Sequence, residues 1–435
     1  MFPINYNLKI NIINFFLLSL PLAFILGNSA VNLNIIVLII TTIAVFRGKI
    51  FEMKFSYIDK IILFFFIYMI FSSVFINFFN LNSLEETNKN FLLIKSLAFF
   101  RFLLLYFIIK FLASNNIIKF KLLFFVFGAF GLFVSVDIIV QHFFGRDLLG
   151  YEGYGRRLSG PFKDEYIAGA YIQRFLIFII LSIILYQKKK EIFPYYFLIS
   201  SIFFIGLFGI SFSGNRMPLV MFLIMSIIFF SYQKIFRKFL VICLIVFVSA
   251  SFYLVNNNKN YLYHYMGFIQ KSFQIVNYFK TKITGNDVEF IRNVYIKEFE
   301  TGILTWEENK IFGGGIKSFY FNCEKIETPE MKKTKNCNSH PHNYYLQIAA
   351  ETGLIGLIIV IYLFSIILFE SLKFLYFIKE NNKEKLVLIT CFTLLIVEIF
   401  PFKTTGSFFT TFTSSYMFIL IPLIVSIIDK KKLQL

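Results

Sequence analysis

Apolar residues run along this chain in stretches of about twenty, the length that carries a helix across a bilayer core, separated by short polar loops. Such stretches fall at roughly 10–27, 31–46, 58–79, 91–112, 119–144, 166–186, 192–211, 217–232, 237–255, 344–369, 384–402 and 409–428. The pattern predicts an all-α polytopic membrane protein with about twelve transmembrane helices. The first run, Ile10 to Leu26, lacks a small-residue cleavage site and reads as a retained helix, not a signal peptide.

One long polar segment interrupts this rhythm, at about 256–343. It divides the chain into residues 1–255 with nine helices, a loop domain at 256–343, and residues 344–435 with three helices and a tail. Within the segment, Val288, Ile291, Val294, Tyr295, Phe299 and Ile303 recur near helical spacing. They predict an amphipathic helix over Asp287 to Leu304, lying on the mouth of the membrane domain. Gly313, Gly314 and Gly315 then predict a turn.

Composition agrees with the pattern: 57% of residues are hydrophobic and 16% charged. The net charge of +18 would suit a nucleic-acid binder if it were gathered in one patch, but most of the Lys and Arg sit in short loops. Alternate loops are rich in them, for example Arg47, Lys49, Lys54 and Lys60, then Lys110, Lys119 and Lys121, then Lys188, Lys189 and Lys190. The rich face is expected to be cytoplasmic. Both termini are then inside and the 256–343 segment outside. The 63 phenylalanines, with abundant Ile, Asn and Lys, read as codon bias and not as an aromatic function.

Charge changes the picture at a few positions. Arg101, Asp137 and Glu398 fall at membrane depth, with Lys403 just past Glu398, and ionisable groups there are functional by default. The alternative reading is a structural ion pair between Arg101 and Asp137. Arg156 and Arg157 precede Leu158-Ser159-Gly160-Pro161-Phe162 in an outer loop, and Arg216 follows Ser213-Gly214-Asn215 at a helix start, with Pro218 two residues on. An arginine fork beside free helix N-terminal amides suits phosphate; the bland alternative is an arginine reaching to lipid headgroups. Arg292 on the outer segment is either a solvated side chain or a further anion contact. His340 and His342, side chains that can exchange a proton near neutral pH, stand where the polar segment meets the next apolar run. Cys323 and Cys337 share the outer segment and are expected to pair in an oxidising compartment. Two free thiols, or metal ligands joined by His340 and His342, are the alternatives, although two histidines so close do not match a usual zinc spacing. Cys243 and Cys391 lie inside spans as apolar filler. No GxxxxGK[ST], GxGxxG or HExxH is present, and the outer loops lack paired acidic clusters for Mg²⁺. Phosphate chemistry is therefore expected to run without metal or cofactor.

His342-Asn343, nine further residues and then Gly353-Leu354-Ile355-Gly356 resemble the His-(Asn/Ser)-x9-Gly-x-x-Gly motif of the O-antigen ligase family, which includes ligases, O-antigen polymerases and O-oligosaccharyltransferases. Arg157-Leu158-Ser159-Gly160, Ser213-Gly214-Asn215-Arg216, Arg292 and Phe312-Gly313-Gly314-Gly315 resemble further segments of that family. The resemblance implies a GT-C-like helical fold with a periplasmic loop domain in the bacterial inner membrane. It implies a glycan donor on undecaprenyl diphosphate and a lipid A core or a growing glycan as acceptor. His342 would be the base, Arg157, Arg216, Arg292 and Asn343 would hold the donor diphosphate, and His340 is an alternate base. A transporter of polysaccharide or lipid-linked glycan is the rival class, because about twelve spans is a common carrier count. The clustering of the suspect residues at one face, without an internal repeat, weighs against it. A non-catalytic scaffold is a third option.

Overall fold

The computed structural model describes residues 6–432 except 80–85, 154, 187–191, 233–240, 243, 247, 250–258, 285–292, 326–336, 378–382 and 405. The described residues are almost wholly helical, and no strand occurs among them beyond a single isolated bridge between Arg146 and Glu152. In chain order the helices are α1 (Tyr6–Leu18), α2 (Leu20–Leu26), α3 (Asn28–Phe46), α4 (Tyr57–Phe78), α5 (Glu86–Phe99), α6 (Arg101–Ser114), α7 (Phe120–Phe144), α8 (Ala168–Phe175), α9 (Ile177–Tyr186), α10 (Ile192–Phe212) and α11 (Arg216–Tyr232). The segment at 256–343, called the outer segment after its expected side, contributes α12 (Lys259–Thr284), α13 (Val294–Glu308) and α14 (Ser318–Lys325). The chain closes with α15 (Tyr344–Phe377), α16 (Lys383–Glu398) and α17 (Thr411–Lys432).

This is a polytopic α-helical membrane protein. Among the described residues seven helices are long and apolar enough to cross a membrane, or eight if the bent pair α1–α2 counts as one span. The sequence predicts about twelve. Part of the difference is helix length: the apolar stretches Tyr196–Phe212 of α10 and Arg216–Tyr232 of α11 fall short of a full span. The predicted span at 237–255 lies mostly outside the described residues. The span predicted at 384–402 is a helix of 16 residues, Lys383–Glu398.

Small residues let the helices touch backbone to backbone, as membrane helices require when lipid offers no hydrophobic drive for association. A Cβ on Gly131 of α7 would sit 2.6 Å from the Leu176 nitrogen, and one on Gly209 of α10 would sit 2.9 Å from Ser135 Cα. The centre of the bundle is α17, packed on α6 and α16, while α15 leans on α4 and on α13.

The end of the bundle remote from His342 carries a buried ion-pair cluster. Asp59 forms a capping box with Ser56 at the start of α4, accepts from Tyr106 Oη at 2.6 Å, and pairs with Lys110. Lys110 also meets Asp429 of α17 at 2.6 Å. Lys110 reads as a loop lysine in the sequence. The structure corrects this, because it lies in the last turns of α6 with a side chain only 2% exposed. Buried charge is tolerable there because every cation has a carboxylate beside it.

Candidate functional site

Four segments converge at the other end. The first is the loop before α8. Leu158, Ser159, Gly160, Pro161 and Phe162 are buried, with Gly160–Phe162 forming a 3₁₀ turn, so the loop is plugged into the bundle while Arg156 and Arg157 stay exposed. Gln141 Oε1 accepts from the Gly160 N–H at 2.9 Å and holds the plug to α7.

The second segment is the turn Ser213–Asn215 that leads into α11, whose first residue is Arg216. The Leu158 N–H donates to the Ser213 carbonyl at 3.3 Å. Gly214 is left-handed (φ 69°), and a Cβ there would lie 2.4 Å from the Arg156 carbonyl oxygen and 3.3 Å from Arg157 Cα. The Arg157 loop and the Arg216 turn are thus pressed together, which explains a glycine between Ser213 and Asn215.

The third segment is Asn338 to Asn343. His342 has φ 51°, a conformation uncommon for a residue with a side chain. Its side chain is 32% exposed. Burial, then the Arg157 charge, lower its pKa below the ordinary histidine value. Arg157 is therefore within electrostatic reach, and the imidazole is neutral at neutral pH. The His340 ring lies against it, tilted by 58° with the centroids 4.3 Å apart, but its Nδ1 meets Ser339 Oγ at 2.9 Å and its Nε2 is buried with no hydrogen-bond partner among the described residues. Burial, His342 and Lys317 drive its pKa down to about 3. Asn343 is engaged locally. Its Oδ1 accepts from the Tyr345 and Leu346 N–H groups at 3.0 and 3.1 Å, an N-cap on α15, and its Nδ2 donates to the Pro401 carbonyl at 2.7 Å.

The fourth segment is the outer one. Asn293 caps α13 by accepting from the Ile296 N–H at 3.1 Å. The helix predicted from Asp287 is thus described from Val294 onward, and 285–292 falls outside the described residues. Arg292, the candidate anion contact from this segment, lies there too. The 26-residue helix α12 has no counterpart in the sequence reading. Cys323 and Cys337 are joined in a disulfide, so their sulfurs are not metal ligands. With Trp306, Phe319 and Ala350 they form a small second core that fastens the segment to α15.

The glycines account for that attachment. Gly353 breaks α15 with φ 70° and ψ −174°. Into the break goes the turn at 310–315: the Gly314 and Gly315 N–H groups donate to the Ala350 and Glu351 carbonyls, each at 2.9 Å, and the Leu354 N–H donates to the Lys310 carbonyl at 2.8 Å. A side chain at Gly353 would meet the Ile311 carbonyl oxygen at 2.1 Å, and one at Gly313 would meet the Gly353 nitrogen at 2.4 Å. Ser72 Oγ and Tyr68 Oη of α4 donate to the Phe312 and Thr352 carbonyls. The backbone groups freed by the break are therefore all engaged at depth, as an apolar environment demands.

Two further groups lie beside the site. Glu298, on the buried face of α13, has its Oε1 3.8 Å from His342 Nε2 and accepts from Asn338 Nδ2 at 2.9 Å. Burial, opposed by the Asn338 hydrogen bond, pushes its carboxyl up to about 7. Below Asn343, Glu398 accepts from Arg174 Nε and Nη2 at 3.0 and 2.6 Å and from Tyr344 Oη at 2.6 Å, and pairs with Lys403 at 2.9 Å. The sequence singled out Glu398 and Lys403 but missed Arg174 and Glu298. A lone arginine inside the apolar run 166–186 was a readable signal for Arg174; nothing in local sequence marks Glu298. Arg101 and Asp137 do not pair. Arg101 donates to Asn32 Oδ1 at 3.1 Å and to the Ala98 carbonyl, and Asp137 accepts from the Leu148 N–H at 2.9 Å. Among the described residues no group of three or more His, Cys, Asp or Glu side chains gathers as a metal site.

The structure thus brings Arg157, the Arg216 turn, His342 and Asn343 to one end of the bundle. No curated protein matches the chain. A family model described as O-antigen ligase matches residues 201–361, from within α10 to within α15, a stretch that holds Arg216, the 310–315 turn, His342 and the Gly353 break. Over those residues the chain is similar to the O-antigen ligase family, the family its motifs resemble.

Proposed function

We propose that this protein is an O-antigen ligase: an inverting transferase that moves a glycan from undecaprenyl diphosphate to a hydroxyl of lipid A core at the periplasmic face of the bacterial inner membrane. The observation that carries this reading is His342, a partly exposed imidazole kept neutral by burial and by Arg157, inside the matched family domain. A neutral imidazole accepts a proton; His340, whose Nδ1 is bonded to Ser339 and whose Nε2 is buried, serves less well.

In this mechanism the acceptor hydroxyl attacks the anomeric carbon and gives its proton to His342. The bond from that carbon to the diphosphate oxygen breaks, and its electron pair leaves with the diphosphate. Arg157 and Arg216 stabilise the growing negative charge, aided by the N-terminal amides of α11, whose Pro218 sits in the first turn. Arg292 would add a third cation from the outer segment. Asn343 contributes by fixing the start of α15 directly after His342. The His342 end is then periplasmic, and the lysine-rich loops are cytoplasmic.

Deleting the gene and examining surface glycan tests the assignment. A ligase leaves lipid A core bare while polymer persists on the polyprenyl carrier. Surface glycan capped by single units would instead show a polymerase, and normal lipopolysaccharide with unglycosylated proteins would show a protein-directed enzyme.

A further inference from the structure

We infer that Glu298 is a positioning residue for His342: a carboxylate delivered by the outer segment that orients the imidazole and balances the positive charge it gains during transfer. The inference rests on the glycan-transfer reading, in which His342 takes a proton.

The geometry is specific. Glu298 is only 5% exposed, an unusual place for a carboxylate. Its Oε1 lies 3.8 Å from His342 Nε2, one small side-chain rotation from a hydrogen bond. Asn338 donates to that same oxygen at 2.9 Å and fixes its direction. Helix α13 packs closely there: a Cβ on Gly302 would lie 3.2 Å from Pro341 and 3.4 Å from Leu346. The helix is laid against the residues on either side of His342.

The chemistry supplies the reason. When the acceptor oxygen bonds to the anomeric carbon, its proton goes to the imidazole and the bond to the diphosphate oxygen breaks. With Nε2–H turned toward Glu298, Nδ1 is the nitrogen left to accept that proton. The imidazolium then forms beside Arg157, a like charge. His340 and Lys317 stand beyond it and bring no negative charge. On the neighbouring α12, Tyr278 Oη donates to Glu300 Oε1 at 2.9 Å. Glu298 is the carboxylate placed to offset the new charge. The same arrangement of carboxylate behind histidine fixes the tautomer in unrelated acyl transferases.

Glu298 must be ionised to do this. Its carboxyl, held near 7 by burial, gains its charge across neutral pH. The wild-type transfer rate should therefore rise through about pH 7, even though His342 is already neutral below that pH. The experiment is a pH–rate profile of detergent-purified protein. The donor is the polyprenyl diphosphate glycan and the acceptor the lipid A core, both extracted from the deletion strain. Glu298→Gln should cut the rate on the order of ten- to a thousand-fold at pH 8 with little change in KM, and should remove the rise through pH 7. Glu298→Asp should restore part of the rate and keep the rise. A wild-type rate that is flat from pH 6 to 8, or a Glu298→Gln profile like wild type, overturns the inference. Equal impairment of Gln and Asp variants with an unshifted profile does so as well. His342→Ala in the same assay separates the two levels. If it still transfers, the base assignment itself is wrong; if it is dead while Glu298→Gln is normal, only the role of Glu298 falls.

Discussion

Two histidines with one residue between them have opposite situations. His340 is bonded through Nδ1 and buried at Nε2, and burial and its charged neighbours hold its pKa near 3. His342 keeps an exposed side and sits in a strained backbone conformation of the kind that collects at functional sites. We expect His340→Gln to cost less than tenfold in transfer rate, against at least about a hundredfold for His342→Ala. Burial, and then the Arg157 charge, lower the proton affinity of His342; a neighbouring cation opposes protonation and lowers the pKa. Removing it should raise that pKa, so the neutral form appears only at higher pH. Labelling of His342 by diethyl pyrocarbonate, which reacts with neutral imidazole, should shift its half-maximal pH upward in Arg157→Ala. An unshifted labelling curve in that variant would mean the two groups are not coupled.

At the level of elements, the break in α15 carries the most information. The Gly-x-x-Gly spacing is visible in the sequence, but its physical meaning is not, because it depends on a turn some forty residues away. The turn at 310–315 inserts where Gly353 interrupts the helix, and neither backbone admits a side chain at the contact. Gly353→Ala places a Cβ in a backbone region essentially limited to glycine, at a cost of about 1–3 kcal/mol before the clash with Ile311 is added. A fall in the thermal midpoint of the purified variant, with loss of transfer, is the expected outcome. Asn343→Ala removes the α15 cap and the Pro401 tether and should cost about 1 kcal/mol from the cap alone, read as a lower thermal midpoint. The apolar runs, the polar 256–343 segment and the Arg157, Arg216 and His342 motifs can be read in the sequence because they are local in it. Glu298 was not, since it becomes a neighbour of His342 only when α13 folds onto the start of α15. The pairing of Arg174 with Glu398 was hidden for the same reason: the partners lie 224 residues apart.

Over the whole molecule, the outer segment is attached to the bundle by three devices: the 310–315 turn in α15, the packing of α13 on the His342 loop, and the Trp306–disulfide core. The bridge closes a span of 14 residues, for which chain entropy gives about 3 kcal/mol. Cys323→Ser with Cys337→Ser should lower the thermal midpoint and slow transfer, because α13 and His342 lose part of their common support. Unchanged stability in the double variant would show that the other two attachments suffice. At the remote end, Lys110, Asp59 and Asp429 pin α17 to α6 and α4, so the bundle is fixed at both ends.

The central claim is that one cleft, built from the Arg157 loop, the start of α11 and the His342 loop, transfers glycan. Its most direct test is a single-turnover assay with purified protein in detergent, without a sealed membrane, following labelled glycan from polyprenyl diphosphate onto lipid A core. The account predicts transfer by the wild type, none by His342→Ala or Arg216→Ala, and normal folding of both variants by size-exclusion elution. Transfer that persists in either variant, or a wild type that moves glycan only across sealed vesicles, would contradict it.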